Sequence, residues 1–281
     1  MKFQLKALVA ALALVAVLPA QAAIDSPTTG SSSLVLSVWD AANNVSATFD
    51  LGFNYSEFNV AGSSFADSGV TNPGTSYAWD LTANGLNNSR QGDYATAWST
   101  FASIATEANA SWAITTADNL GTTVGARGFI TTYTGAPLAF LSSSNMVTAL
   151  GNFKTYTDAT STLSTTFENH STALNGASVN KAGTSGYFTP YYTGDRNNNV
   201  GPIAAGLINS SLSVIQVTNN ASAGSAVTNT IFGNQAQFTL TSAGQLNYTT
   251  ALAAPIPEAD TWAMMLLGLG FMGFVARRKQ A

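Results

Sequence analysis

The sequence predicts a mainly β protein: an antiparallel, sandwich-like body with a helical insertion, flanked by an N-terminal signal peptide and a single C-terminal transmembrane helix. Three observations point there. Strict apolar/polar alternation recurs from Leu34 onward, spacing of 3.6 residues is confined to the middle of the chain, and both ends are apolar runs with basic flanks.

The elements follow in order. Lys2 and Lys6 precede an uninterrupted apolar run from Ala7 to Leu18, and Ala20-Gln21-Ala22 after Pro19 supplies a small-x-small cleavage pattern. Residues 1–22 therefore read as a signal peptide, cut after Ala22 with Ala20 as the second small residue. The run is shorter than the roughly 20 apolar residues a membrane-spanning helix needs. Residues 23–254 form the exported body. Asp25–Ser33 reads as a polar, extended, loosely held leader. Leu34–Trp39 and Val45–Phe53 alternate as strands around a turn at Ala41-Ala42-Asn43-Asn44. Further strands are expected at Tyr77–Leu81, Ser111–Thr116, Phe129–Tyr133, Leu212–Thr218, Ala236–Thr241 and Leu246–Thr250, the last two joined through Ser242-Ala243-Gly244-Gln245. Helical spacing links Tyr94, Trp98, Phe101 and Ala105, with Asp93 as N-cap; it recurs at Met146, Leu150 and Phe153, and at Leu163, Phe167 and Leu174. These stretches define a helical insertion near residues 93–175. Residues 175–206, rich in Gly, Asn, Thr and Tyr, read as long loops. No fixed-period repeat is present, so a solenoid or propeller is not expected.

Composition narrows the chemistry. Of 281 residues only 10 are basic and 14 acidic, or 9% charged, against about 25% in an ordinary soluble domain. Without cysteine there are no disulfides, thiolate metal sites, iron–sulfur clusters or thiol nucleophiles; a single histidine rules out multi-histidine metal centres. No cofactor is expected. Without its two ends the body keeps twelve acids against Arg90, Arg127, Lys154, Lys181 and Arg196, a net charge of −7. Such a surface has no electrostatic footprint for nucleic acid.

The C-terminal 255–281 segment has three parts. Pro255-Ile256-Pro257-Glu258-Ala259-Asp260 is a rigid, acidic approach; Trp262–Ala276 is apolar or Gly throughout; Arg277-Arg278-Lys279 closes it. As a helix the apolar part reaches about 22 Å, short of a hydrocarbon core of about 30 Å, so flanking residues must snorkel or the bilayer thin. The basic end directs the tail to the cytoplasm, and Trp262 stands where an interfacial aromatic belongs. This tail resembles the PEP-CTERM sorting signal: a Pro-Glu-Pro motif, an apolar helix and an Arg-rich end. The matching residues are Pro257 and Glu258, Trp262-Ala263-Met264, Leu267–Gly270 and Arg277-Arg278-Lys279, with Ala259 in place of the second proline. The resemblance implies recognition by exosortase, an integral-membrane relative of cysteine proteases, and tail removal near Pro257-Glu258. It covers about 25 residues and carries no implication for the body.

Catalytic patterns are weak. His170, the only imidazole, has no G-x-S-x-G elbow beside it, and reads as a solvated surface residue. Asp195–Asn199 opens like a calcium loop, but Val200 and Gly206 replace the required Gly and Glu. Gly121–Gly128 lacks either phosphate-loop spacing and reads as turn glycines beside a strand. A glycosidase needs two facing carboxylates; the body has twelve acids, and no local pattern selects a pair. Tyr187, Tyr191 and Tyr192, with Phe188, cluster in a Gly/Thr/Asn-rich stretch, either as exposed rings for glycan contact or as cover for the core under a loop.

The resulting expectation is a non-catalytic protein of the cell surface or extracellular matrix, structural or adhesive amid extracellular polysaccharide. Its partners would be the Sec export machinery, signal peptidase, exosortase and, transiently, the inner membrane. The alternatives are a secreted polysaccharide-acting hydrolase using a carboxylate pair, and a carbohydrate-binding module.

Overall fold

The computed structural model describes residues 24–83, 92–134, 142–160, 170–171, 176–193, 205–220 and 224–253, together with Leu267 and Leu269. The chain divides into two compact units, Met1–Ala251 and Leu252–Ala281.

The first unit is built on one antiparallel sheet of twelve strands. In chain order these are β1 (Ser33–Asp40), β2 (Val45–Asn54), β3 (Ser76–Asp80), β4 (Ser111–Asp118), β5 (Gly128–Tyr133), β6 (His170–Ser171), β7 (Ala177–Lys181), β8 (Gly206–Leu207), β9 (Ser211–Thr218), β10 (Thr228–Ile231), β11 (Gln237–Leu240) and β12 (Gln245–Thr249). Their spatial order is β3-β12-β11-β9-β5-β4-β1-β2-β7-β6, with β10 beside β9 and β8 beside β4. The sheet curls until β3, at one end, reaches the inner face of β2. The Trp79 indole of β3 donates to the Leu51 carbonyl oxygen of β2 at 3.0 Å, and Phe53 meets Tyr77 and Trp79 edge-on.

The curl creates an inner apolar cluster. Leu34, Leu36 and Val38 of β1 and Val45, Ala47, Phe49, Leu51 and Phe53 of β2 point into it, as their period of two requires. Trp112, Ile114, Val214, Phe238 and Tyr248 close it from the other strands. Each such side chain contributes about 1.5–3 kcal/mol on burial. The loop from Tyr55 to Val70 adds Tyr55, Phe58, Val60 and Val70 to the same cluster.

The expected strands are all present, and so is the Ala41–Asn44 turn, where Asn44 takes φ 55°. Gly244, in the turn between β11 and β12, has φ +77°, and a Cβ there would lie 3.0 Å from the Trp98 ring. Both demands select glycine.

The helices do not form one inserted block. Helix α1 (Ala95–Ile104) buries Ala97, Trp98 and Phe101 in the inner cluster. Helix α2 (Ser143–Thr160) covers the opposite face of the sheet. Between them in the chain run β4 and β5, two of the central strands. The segment near 93–175 is thus woven into the sheet. Asp93 is not the cap of α1 either; that position is Tyr94, whose ring is fully buried and whose hydroxyl donates to the Asp50 carbonyl oxygen. The Thr-rich α2 keeps its hydroxyls satisfied within itself: Thr157 and Thr160 donate to the Phe153 and Tyr156 carbonyls at 3.1 and 3.0 Å.

The outer cluster under α2 contains Val35, Trp39, Ala113, Ala117, Phe129 and Val217 from the sheet and Met146, Leu150, Phe153 and Tyr156 from the helix. Residues 175–206 are not wholly loop: β7 pairs with β2, and the short helix α3 (Thr189–Thr193) follows. The leader is also firmly held. Ile24 and Pro27 are buried, Ser32 N–H donates to the Ala117 carbonyl at 2.9 Å, and Asn119 N–H donates to the Pro27 carbonyl at 2.9 Å. A polar sequence can dock in this way because its hydroxyls and amides are paid back bond for bond by β4 and β2.

Of the second unit, Leu252, Ala253, Leu267 and Leu269 are described. Leu267 and Leu269 are helical and more than half exposed. Among the described residues no helix is long and apolar enough to cross a membrane.

Candidate functional site

The sorting residues Pro257, Glu258, Trp262, Arg277 and Arg278, and the cleavage residues Ala20 and Ala22, lie outside the described residues. The calcium-like start at Asp195–Asn199 does too, as does the third stretch of helical spacing beyond Thr160, apart from residues 170 and 171. His170 belongs to the two-residue strand β6, paired with Ser178 of β7, not to a helix. Gly121 and Gly125 have φ of 84° and 73° in the turn that leads into β5, which accounts for that glycine-rich run.

Of the aromatic stretch, Tyr187, Phe188 and Tyr191 are buried. Tyr187 is 4% exposed and Tyr191 1%. The Tyr191 ring lies 5.2 Å from that of Tyr156 on α2, and its hydroxyl donates to the Ser185 carbonyl at 2.9 Å. Phe188 stands between Trp39 and Tyr156, at 4.7 and 5.0 Å. Phe188 and Tyr191 are thus members of the outer cluster. Tyr192 is in α3, and its side chain is outside the described set.

The acids are the remaining chemistry-bearing groups. Asp40, at the end of β1, is fully buried and receives the N–H groups of Ala42, Asn43 and Thr106 and the Asn43 side-chain amide. Burial raises its pKa, but the bonds from Thr106, Asn43 and Ala42 outweigh that and hold the carboxyl below the usual carboxylate range. Asp50 of β2 is 7% exposed. Burial pushes its pKa up to about 6, against the opposing bonds from Gly52 N–H and the Ser33 hydroxyl, with the nearby negative charge of Asp25 adding to the rise. Ser33 Oγ donates to Asp50 Oδ2 at 2.8 Å and accepts from Asp25 N–H at 3.0 Å. Asp118, at the end of β4, is also raised by burial, opposed by the Leu120 N–H and the Arg127 guanidinium.

Strand register decides whether Asp50 and Asp118 could work together. Val35 of β1 is opposite both Asp50 of β2 and Thr115 of β4, so these three share a face. Asp118 lies three residues beyond Thr115 and therefore faces the other way. Asp50 looks toward the leader on the outer face, and Asp118 toward Tyr55 on the inner face. They do not form the facing pair that glycoside hydrolysis requires. Among the described residues no group of three or more His, Cys, Asp or Glu is placed to hold a metal.

The Asp25–Ser33–Asp50 network had no local signal in the sequence, because its members come together only through the β1–β2 pairing and the fold-back of the leader. Asp40, Asp50 and Asp118 are each engaged as acceptors for backbone N–H groups, and Asp50 for the Ser33 hydroxyl as well.

One stretch of the chain does carry a defined role. Residues 255–279 match the PEP-CTERM protein-sorting motif. The chain is therefore an exported protein sorted by exosortase through its C-terminal tail. Comparisons with curated proteins and with solved structures find no match for the chain.

Proposed function

We propose that this is a non-catalytic protein of the cell surface or extracellular matrix whose body serves as a structural or adhesive module amid extracellular polysaccharide. The observation that carries the reading is the match at residues 255–279. It is supported by the use of Asp40, Asp50 and Asp118 as internal acceptors and by a body poor in charge. In this reading Sec exports the chain and signal peptidase cuts after Ala22. The Trp262–Ala276 helix then arrests transiently in the inner membrane with Arg277 and Arg278 on the cytoplasmic side, and exosortase removes the tail near Pro257-Glu258. Cell fractionation combined with intact-mass measurement of the mature protein tests it. The expected result is surface or matrix material lacking both ends. A mature chain that still ends at Ala281, or a surface fraction unchanged by deletion of Trp262–Ala281, would overturn it.

A second reading, a secreted polysaccharide-acting hydrolase using a carboxylate pair, draws on the body's acids, of which Asp50 is pushed up to about 6 by burial, toward the range of a general acid. Glycan release that disappears in Asp50→Asn, with the fold retained, would establish it. Equal and negligible release from both proteins would leave the structural reading.

A further inference from the structure

The leader, residues 24–32, is held to the sheet by a short series of contacts. Ile24 is 7% exposed in the outer cluster, and the turn Pro27–Thr29 packs against β4 and α2. Asn119 N–H donates to the Pro27 carbonyl at 2.9 Å, Ser32 N–H to the Ala117 carbonyl at 2.9 Å, and Ala117 N–H to Ser32 Oγ at 2.8 Å. At the leader's start Asp25 N–H donates to Ser33 Oγ at 3.0 Å, and that hydroxyl donates in turn to Asp50 Oδ2 at 2.8 Å.

Asp50 is the group shut in by this arrangement. Among the described residues its carboxyl receives the Ser33 hydroxyl and, at 2.8 Å, the Gly52 N–H. The titratable groups that act on it there are Asp25, of like charge, on the leader, and Tyr94, before α1. The Tyr94 hydroxyl donates to the Asp50 carbonyl oxygen, and burial pushes its pKa up, so it stays protonated. Among the described residues no cationic side chain compensates Asp50. A carboxylate in such surroundings is costly once ionised, and burial pushes Asp50 up to about 6.

We propose that the leader is a pH-sensitive strap: it stays closed over Asp50 while the carboxyl carries its proton and opens when the carboxyl is ionised. Opening lets water reach the carboxylate, moves Asp25 away from it and frees Ile24 from the outer cluster. Closed, Asp50 holds its proton up to about 6; open, it returns toward the roughly 3.9 of a solvated side chain. The closed state is therefore fully favoured below about pH 4 and loses that advantage as pH rises through about 6. A separation of about two pH units raises the open population up to roughly 100-fold. This device is independent of the role proposed for the body.

The chain has no cysteine, so Ile24→Cys in the full-length protein supplies a single thiol for dithiodipyridine to label when the strap opens. Ala97→Cys, buried on α1 in the inner cluster, reports opening of the body instead. Rates are taken from about pH 4 to about pH 8 and divided by those of the same variant unfolded in urea, which removes the thiol's own titration. The expected labelling of Ile24→Cys rises up to roughly 100-fold with pH, levels off above about pH 6, and exceeds that of Ala97→Cys throughout. Adding Asp50→Asn should make it independent of pH. Asp25→Asn, at an exposed position, keeps the test open if Asp50→Asn does not fold: loss of the like charge should move the levelling point to lower pH. Labelling of Ile24→Cys that ignores pH overturns the proposal, as does a pH response that survives Asp50→Asn. A levelling point unchanged or raised by Asp25→Asn also overturns it. Equal rates at the two reporter positions would show the body opening as a whole and remove the strap.

Discussion

Asp50 and Asp40 are both withdrawn from solvent on neighbouring strands, yet their surroundings push their proton affinities in opposite directions. The folded state raises Asp50, chiefly by burial, to about 6, above the roughly 3.9 of an unfolded chain. Its contribution to stability is therefore fully present below about pH 4 and is lost as pH rises through about 6, a change of about 3 kcal/mol. Asp40, lowered by its bonds to the turn and to Thr106, contributes above its unfolded value and loses that contribution as pH falls through the folded one. Asp50→Asn should thus flatten the decline in stability between about pH 4 and pH 6, measured by urea unfolding at several pH values. A variant profile parallel to the wild type would show that Asp50 does not hold its proton in the fold.

Tyr55 gives a second test at this scale. Its hydroxyl is buried without a hydrogen-bond partner among the described residues, and a Cβ on Gly128 would stand 2.4 Å from that oxygen and 2.8 Å from the Val217 carbonyl oxygen. Gly128→Ala should cost about 1–3 kcal/mol through overpacking. Tyr55→Phe, which removes an unpaired polar atom, should be neutral or stabilising. Combining them should recover only part of the loss, since the Val217 carbonyl does not move out of the way. Thermal melts of the three variants decide it.

At the scale of elements, α2 and the outer face of β1 and β2 depend on each other. The Tyr156 hydroxyl meets Ser37 Oγ at 2.9 Å and also Thr48 Oγ1, all of them buried. Tyr156→Phe leaves two strand hydroxyls without this partner and should cost about 1–3 kcal/mol. Phe153→Ala, which empties apolar volume from the same interface, should cost about 3–5 kcal/mol. Equal denaturation midpoints for Tyr156→Phe and the wild type would remove the hydroxyl network from the account. The same interface shows why part of the fold was legible and part was not. Alternation in Leu34–Trp39 and Val45–Phe53 identified both strands and their inner face. It could not reveal that Ser37, Ser46 and Thr48 are buried as well, since a hydroxyl-lined buried face and a wetted one share the same pattern. Strands β7 (Ala-Ser-Val-Asn-Lys) and β10 (Thr-Asn-Thr-Ile) are too short and polar to declare themselves; pairing with β2 and β9 recruits them. Tyr191 had polar neighbours in sequence but finds Tyr156 and Ser185 in space. The sorting tail was readable because its residues are contiguous, whereas the Asp25–Ser33–Asp50 network depends on strand register.

For the whole molecule, the defining pairing is the most distant in sequence. Residues 76–80 of β3 lie against residues 245–249 of β12, and only then can Trp79 reach Leu51. A sheet whose closure joins such remote segments must pay loop-closure entropy before the pairing rewards it, and such topologies fold slowly. Refolding of the mature body should accordingly take about seconds or longer, followed by stopped-flow tryptophan fluorescence. Completion within about a millisecond would show that closure is not the limiting event. The β3–β12 seam thereby acts as a clock. Until it closes, Trp79 is kept from Leu51 and Phe53, so the inner apolar cluster stays open to solvent along the β2 side and is the last part of the body to become dry.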